Sequence, residues 1–211
     1  LALKTLNKNL DLNIKEFVTV NFDAVADAVD TLGGVDIRIE EDEISYLNVY
    51  VRATAKNIGT TAEEITKPGM QTLNGVQAVA YSRIRYTEGG DYKRTERMRT
   101  VIEAMLEKLK NKSVSEINDF ADKILPEVYT NVEQNEVISL APTILTYKIS
   151  ESIGWPYKTR GITTDRWYGV PVTMEENVRQ LHEEIFGEED YTPSETVKEI
   201  SNDICLLYTS D

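Results

Sequence analysis

The chain has one cysteine, one histidine and two tryptophans in 211 residues. With Cys205 alone there is no intramolecular disulfide, so the fold does not rest on a disulfide framework. His182, beside Glu183 and Glu184 on an expected helix, reads as a surface residue rather than a catalytic base. With His182 read as a surface residue there is no Ser/His/Asp set, and without a second histidine or cysteine there is no His/Cys cluster with metal spacing. Apolar runs are short, and none reaches the roughly 18 residues of a membrane-crossing helix. No stretch reads as a signal peptide. Positive charge is scarce as well: 23 Lys and Arg against 36 Asp and Glu leave a net charge of -13. Nucleic-acid binding requires a broad basic surface, so that class of partner is excluded. No repeat or low-complexity tract is present, and the length suits one domain, or one domain with an appendage.

Against that acidic background, residues 73–110 stand out. Arg83, Arg85, Lys93, Arg94, Arg97 and Arg99 crowd into LNGVQAVAYSRIRYTEGGDYKRTERMRTVIEAMLEKLK. A cationic cluster on an acidic protein points to a local anion site. Asn74 can cap a short helix ending near Ser82. Alternation in an extended Arg83-Ile84-Arg85 puts both guanidinium groups on one side and Ile84 on the other. Thr87, Glu88, Gly89 and Gly90 read as a turn. Asp91 then stands where an N-cap belongs, and a helix follows to about Asn111. Its apolar residues Met98, Val101, Ile102, Met105, Leu106 and Leu109 keep helical period. Arg94 falls in the first turn of that helix, where free N–H groups and the dipole already favour an anion. Arginine adds planar, bidentate donors suited to phosphate. Arg83, Arg85 and Arg94 together form a candidate pyrophosphate clamp. Arg99, Lys108 and Lys110, offset by Glu96, Glu103 and Glu107, read as a solvated helix face.

The coarse order of elements is α/β, with a central β-sheet flanked by helices. Helices are expected at Ala2–Leu10, 23–31, 115–125, 132–145, Met174–Phe186 and 193–204. Strands are expected at 16–22 and Val35–Ile39. Gly33-Gly34 is a helix stop, and residues 44–56 fit either period. In the last helix, Thr192 and Glu195 have capping-box spacing and Pro193 suits the first position. Residues 154–172 read as loop and short strand. Their aromatics Trp155, Tyr157, Trp167 and Tyr168 either stack on sugar rings or pack beneath a loop, and packing is the preferred reading.

The motifs LNGVQAVAYSRIR and GDYKRTERM resemble the LytR-CpsA-Psr (LCP) family. So does an upstream stretch, FVTVNF followed by DAV and then TLGGVD, and the likeness covers residues 1–112. The resemblance implies an LCP-like fold, incomplete at its N-terminus. It implies a membrane-anchored, extracytoplasmic enzyme of Gram-positive cell-wall biogenesis. Such an enzyme transfers a glycopolymer, such as a teichoic acid or a capsular polysaccharide, from a polyprenyl-pyrophosphate carrier to peptidoglycan, forming a phosphodiester. Carried over by position, Arg83, Arg85 and Arg94 would hold the donor pyrophosphate. Arg97, Met98 and Asp91 rank below them: Arg97 has a different helical angle, Asp91 has a capping role, and Met98 stands where the family usually has a hydrogen-bonding glutamine. Mg²⁺ is implied by the family, with its carboxylate ligands, like the membrane helix, in a section that would precede Leu1. The alternative is a non-catalytic polyprenyl-phosphate-binding or regulatory protein, and a third reading is a pyrophosphatase.

Three segments follow from these readings. Residues 1–190 are a partial LCP domain with its C-terminal helical part, and 191–204 are a helical tail. Residues 205–210 translate TGTCTCTTATACACATCT, which resembles a transposon-end sequencing adapter, so 205–211 are read as read-through rather than evolved sequence.

Overall fold

Strict alternation in Val35-Asp36-Ile37-Arg38-Ile39 buries every second side chain and exposes the others, the signature of a strand with one face on a core. This segment organises the larger of two units into which the chain divides. The computed structural model describes residues 1–86, 90–144, 146, 154–163, 165 and 167–209. In chain order the elements are α1 (Ala2–Leu10), β1 (Val18–Thr19), α2 (Phe22–Thr31), β2 (Val35–Ile39), α3 (Ile44–Ile58), β3 (Gly69–Leu73), α4 (Gly75–Ser82), α5 (Gly90–Lys110), α6 (Val114–Ile124), β4 (Tyr129–Thr130) and α7 (Gln134–Ile144). The hairpin strands β5 (Thr159–Thr163) and β6 (Trp167–Pro171) follow, then α8 (Met174–Phe186) and α9 (Glu195–Thr209). The fold is mixed α/β, as the sequence indicated. Its described strands pair as three two-stranded antiparallel ladders, β1–β4, β2–β3 and β5–β6.

The larger unit is Val18–Ser152. The β2–β3 ladder runs from Val35 opposite Leu73 to Ile39 opposite Gly69. Thr72 Oγ1 donates to Asp36 Oδ1 across it at 2.5 Å, and Lys108 Nζ of α5 reaches Asp36 Oδ2 at 2.6 Å. The core packs Val35, Ile37 and Ile39 against Leu47 and Val51 of α3, residues of α4, and Val101 of α5. Helix α4 lies deepest, with every residue from Gly75 to Tyr81 buried. A β-carbon on Gly75 would sit 2.1 Å from the Ala26 carbonyl oxygen, so only glycine lets α4 approach α2 this closely. Asn74 and Gln77 form a reciprocal capping box, each side chain bonding the other's backbone N–H at 2.9 Å. The ambiguous segment is helix because Leu47, Val51, Thr54 and Ala55 share one buried stripe, a helical and not an alternating pattern.

The strand expected at 16–22 shrinks to Val18–Thr19 because Asn21 caps α2, accepting from Ala24 N at 2.8 Å, so Phe22 already belongs to the helix. The β3 strand was not anticipated, since its MQT stretch carries no apolar alternation.

The smaller unit joins Leu1–Phe17 to Ile153–Asp211. Leu10, Met174, Val178 and Val197 form its core. His182 is only 5% exposed, which corrects its surface assignment. Its Nε2 bonds the Leu10 carbonyl at 2.9 Å, its Nδ1 meets Glu188 at 2.6 Å, and its ring stacks on Tyr191 at 3.7 Å. Periodicity placed His182 among glutamates on one helix and could not register the arrival of α1. Ser194, not Thr192, caps the last helix: its Oγ accepts from Val197 N and donates to Asp11. Pro193 therefore lies outside the helix, which continues past Cys205 to Thr209. Of the four aromatics expected to pack beneath a loop, Tyr157 is half-buried, whereas Trp167 and Tyr168 of the hairpin are exposed. Trp167 is 56% exposed, and its indole crosses Gly161, where a β-carbon would lie 2.5 Å from Nε1. Among the described residues, no helix is long and apolar enough to cross a membrane.

Candidate functional site

The C-terminus of α4 delivers the first arginine. Arg83 is its C-cap in helical conformation, so Arg83-Ile84-Arg85 leaves a helix end and not a strand. The side-chain division anticipated for an extended segment survives: Ile84 is fully buried while Arg83 and Arg85 reach one cleft. The cleft encloses about 550 Å³ and is lined by Phe22, Tyr50, Ser82, Arg83, Arg85, Tyr86, Arg94 and Met98. Arg94, one turn into α5, brings the third guanidinium. The three arginines named from the sequence thus meet in one cavity, and no carboxylate stands among its described lining residues.

Arg83 is held before any ligand arrives. Its Nη1 donates to Thr54 Oγ1 at 2.8 Å. Its guanidinium carbon lies 4.8 Å from the Phe22 ring centroid and 5.5 Å from that of Tyr50. Cation–π contact on this scale restrains the planar group and keeps its charge unneutralised. Phe22, quoted only as part of the FVTVNF stretch, and Tyr50 were not singled out as site residues from the sequence. A Phe at a helix start and a Tyr on an ambiguous segment carry no signal until α2 and α3 converge.

Arg97 is placed elsewhere. It is 5% exposed and absent from the cleft lining. Its Nη2 pairs with Glu43 Oε1 at 2.7 Å, and Nη1 donates to the Ile84 carbonyl at 3.2 Å. Its lower rank on helical angle agrees with this position, turned from Arg94 toward the core. The Tyr81 hydroxyl beside it is pushed up to about 12, first by burial and then by the Glu43 charge, with Arg97 opposing. Tyr81 therefore stays a neutral donor and is no base at neutral pH. Helix α5 begins at Gly90, so Asp91 lies inside the first turn and not at the cap; its side chain, like residues 87–89 of the expected turn, lies outside the described residues.

Met98 lines both the cationic cleft and an apolar cavity of about 370 Å³, as do Phe22 and Ser82. The apolar cavity runs between α2, α4, α5 and α6, past Val25, Val101, Ile102 and Met105 to Phe120 and Ile124. Those last two also border a further apolar pocket of about 130 Å³ that reaches Val137 of α7. Charge is thus confined to one end of a line of oily spaces. Among the described residues no three Asp, Glu, His or Cys side chains converge as a metal site.

The LytR_cpsA_psr family model matches residues 1–182. Over 166 residues the chain is 29% identical to the polyisoprenyl-teichoic acid–peptidoglycan teichoic acid transferase TagT of Bacillus subtilis, covering 77% of this chain and 49% of that protein. It is 32% identical over 150 residues to biofilm regulatory protein A of Streptococcus mutans, covering 70% of this chain and 34% of that one. The chain therefore spans half or less of the length of these curated relatives. A structure of TagT bound to LIIa-WTA superposes with a TM-score of 0.66 at 24% identity, covering 87% of this chain and 65% of that one. B. subtilis TagV gives 0.61 at 22%, covering 90% and 69%. At such identities the likeness establishes the fold. The motifs, the fold and the family match over most of its length agree: the chain belongs to the LytR-CpsA-Psr family.

Proposed function

We propose that the arginine cleft binds the pyrophosphate of a polyprenyl-pyrophosphate-linked glycan and that the complete protein transfers this glycopolymer to peptidoglycan. One observation carries the reading. Three arginines share a cavity that continues, through Phe22 and Met98, into apolar space. An amphiphile with an anionic head and a long hydrocarbon tail matches both ends. The names of TagT and TagV, teichoic acid transferases to peptidoglycan, and the TagT complexes with LIIa-WTA and LI-WTA point to the same donor class.

In this reading an acceptor hydroxyl on peptidoglycan attacks the phosphorus attached to the glycan. A new P–O bond forms, the bridging P–O bond breaks, and polyprenyl phosphate departs with the electron pair while the hydroxyl proton passes to solvent. Arg83, Arg85 and Arg94 bind the diphosphate oxygens and stabilise the charge that grows on the leaving phosphate. Catalysis of this kind is chiefly positioning and preorganised charge. Arg83, already seated between two rings, changes little on binding. Mg²⁺ would supply further neutralisation of the diphosphate; no step here is routed through it. A lipid-linked donor and a peptidoglycan acceptor support an extracytoplasmic location in this reading.

The test is incubation of the full-length protein with a polyprenyl-pyrophosphate glycan and peptidoglycan, followed by mass analysis of digested wall. A glycan–muropeptide phosphodiester is expected. Tight lipid binding without that product would mean a carrier or regulator. Polyprenyl monophosphate released without acceptor would mean a pyrophosphatase.

A further inference from the structure

We propose that Glu43 and Arg97 form a buried latch that sets the direction in which Arg85 enters the cleft; this rests on the diphosphate-binding reading above. Arg97 reaches past its own helix to the Ile84 carbonyl, the backbone group between the two arginines. That carbonyl belongs to the same peptide plane as the Arg85 nitrogen, so fixing the oxygen fixes the plane from which the Arg85 side chain departs. The preceding backbone is fixed as well. Ile84 N donates to the Tyr81 carbonyl at 3.3 Å, and the Ile84 side chain is fully buried. Arg83-Ile84-Arg85 is thus held at the Ile84 amide, the Ile84 side chain and the Ile84 carbonyl, and the carbonyl restraint comes from α5.

Glu43 is what aims Arg97. Its Oε1 takes both Arg97 Nε at 2.8 Å and Nη2 at 2.7 Å, and its Oε2 accepts from Glu40 N at 3.1 Å. Glu43 and Arg97 are 7% and 5% exposed. A buried ion pair adds little stability over an apolar pair of similar volume, because both charges lose water. What an apolar pair cannot supply is a donor for the Ile84 carbonyl. Arg94 and Arg97 are one turn apart on α5, so the same helix carries one cleft arginine and the latch that places Arg85. Arg97 is a positioning residue, and the cleft arginines are the ones that meet the anion.

The experiment uses the intact chain, with farnesyl diphosphate and farnesol as probes that differ only in the anionic head. Affinities are measured by calorimetry for the native protein, Glu43→Gln, and the apolar pair Glu43→Leu/Arg97→Met, whose folding is checked by circular dichroism. Both variants are expected to bind farnesyl diphosphate about tenfold more weakly and farnesol unchanged. Adding Arg85→Ala to the apolar pair should then cost less than Arg85→Ala costs the native protein, since the two act through one group. A folded apolar-pair variant that keeps native preference for the diphosphate overturns the latch, and so does strict additivity with Arg85→Ala. Equal loss for both probes also overturns it, because that marks general damage. If the native protein itself shows no preference for farnesyl diphosphate over farnesol, the diphosphate site fails and the latch fails with it.

Discussion

At the scale of single residues, each cleft arginine has its own degree of preparation. Arg83 is seated on Thr54 and two rings, so Arg83→Ala removes a preorganised donor together with its charge. Hydrogen bonds to charged groups contribute roughly 1.5–3 kcal/mol, so farnesyl diphosphate affinity should fall tenfold or more in this variant, with the melting temperature nearly unchanged. Unaltered affinity would remove Arg83 from the site. Met98 invites the opposite change. It lines the cleft at the position to which the family resemblance assigns a hydrogen-bonding glutamine, and it is exposed. Met98→Gln adds an amide within the same side-chain length, and titration should show tighter diphosphate binding with no gain for farnesol. The arginines were legible because charge clustered against an acidic background. Phe22 and Tyr50 were not, because an aromatic residue looks the same in sequence whether it faces a core or a guanidinium.

Between elements, two polar junctions tie helices to their surroundings. Asp36 joins β2 to β3 through Thr72 and to α5 through Lys108. The Lys108 bond, then the Thr72 bond, hold its carboxyl below the ordinary value of 3.8. A carboxylate whose folded pKa is depressed stabilises fully above its unfolded pKa and loses that contribution as pH falls through the folded one. Thermal stability should therefore decline as pH drops below about 4, and Asp36→Asn should flatten that part of the profile; an unchanged slope in the variant would show that the junction carries none of it. The second junction is His182, which binds α1 to α8 through the Leu10 carbonyl and stacks on Tyr191. His182→Ala leaves that buried carbonyl without its donor and opens a cavity, a loss of about 2–4 kcal/mol. Denaturant unfolding should report it, with diphosphate affinity measured in parallel. The boundaries of α1, β2 and α8 could be read from periodicity and caps. Those of β1 and β3 could not, since two residues of β1 are too few to show a period and the Gly-Met-Gln-Thr start of β3 depends on the strand opposite.

Across the larger unit, function is a matter of polarity arranged along a line. The cationic cleft and the apolar cavities meet at Phe22, Ser82 and Met98. Ile102 is 57% exposed yet lines the apolar cavity, so a change there spares the core. Ile102→Glu should weaken farnesol and farnesyl diphosphate binding alike, whereas Arg83→Ala weakens only the diphosphate; binding of both probes at native strength would exclude the cavity as the hydrocarbon site. The sequence by itself determined the α/β class, most helix limits and the three arginines, because hydrophobic period, capping residues and local charge are properties of short stretches of chain. Only the tertiary structure decided that Arg97 serves Glu43 and Ile84, that His182 is buried, and that apolar faces of α2, α5 and α6 leave space between them. Those outcomes depend on which side chains meet across long separations, and a core stripe and a cavity wall are written with the same residues until the helices pack.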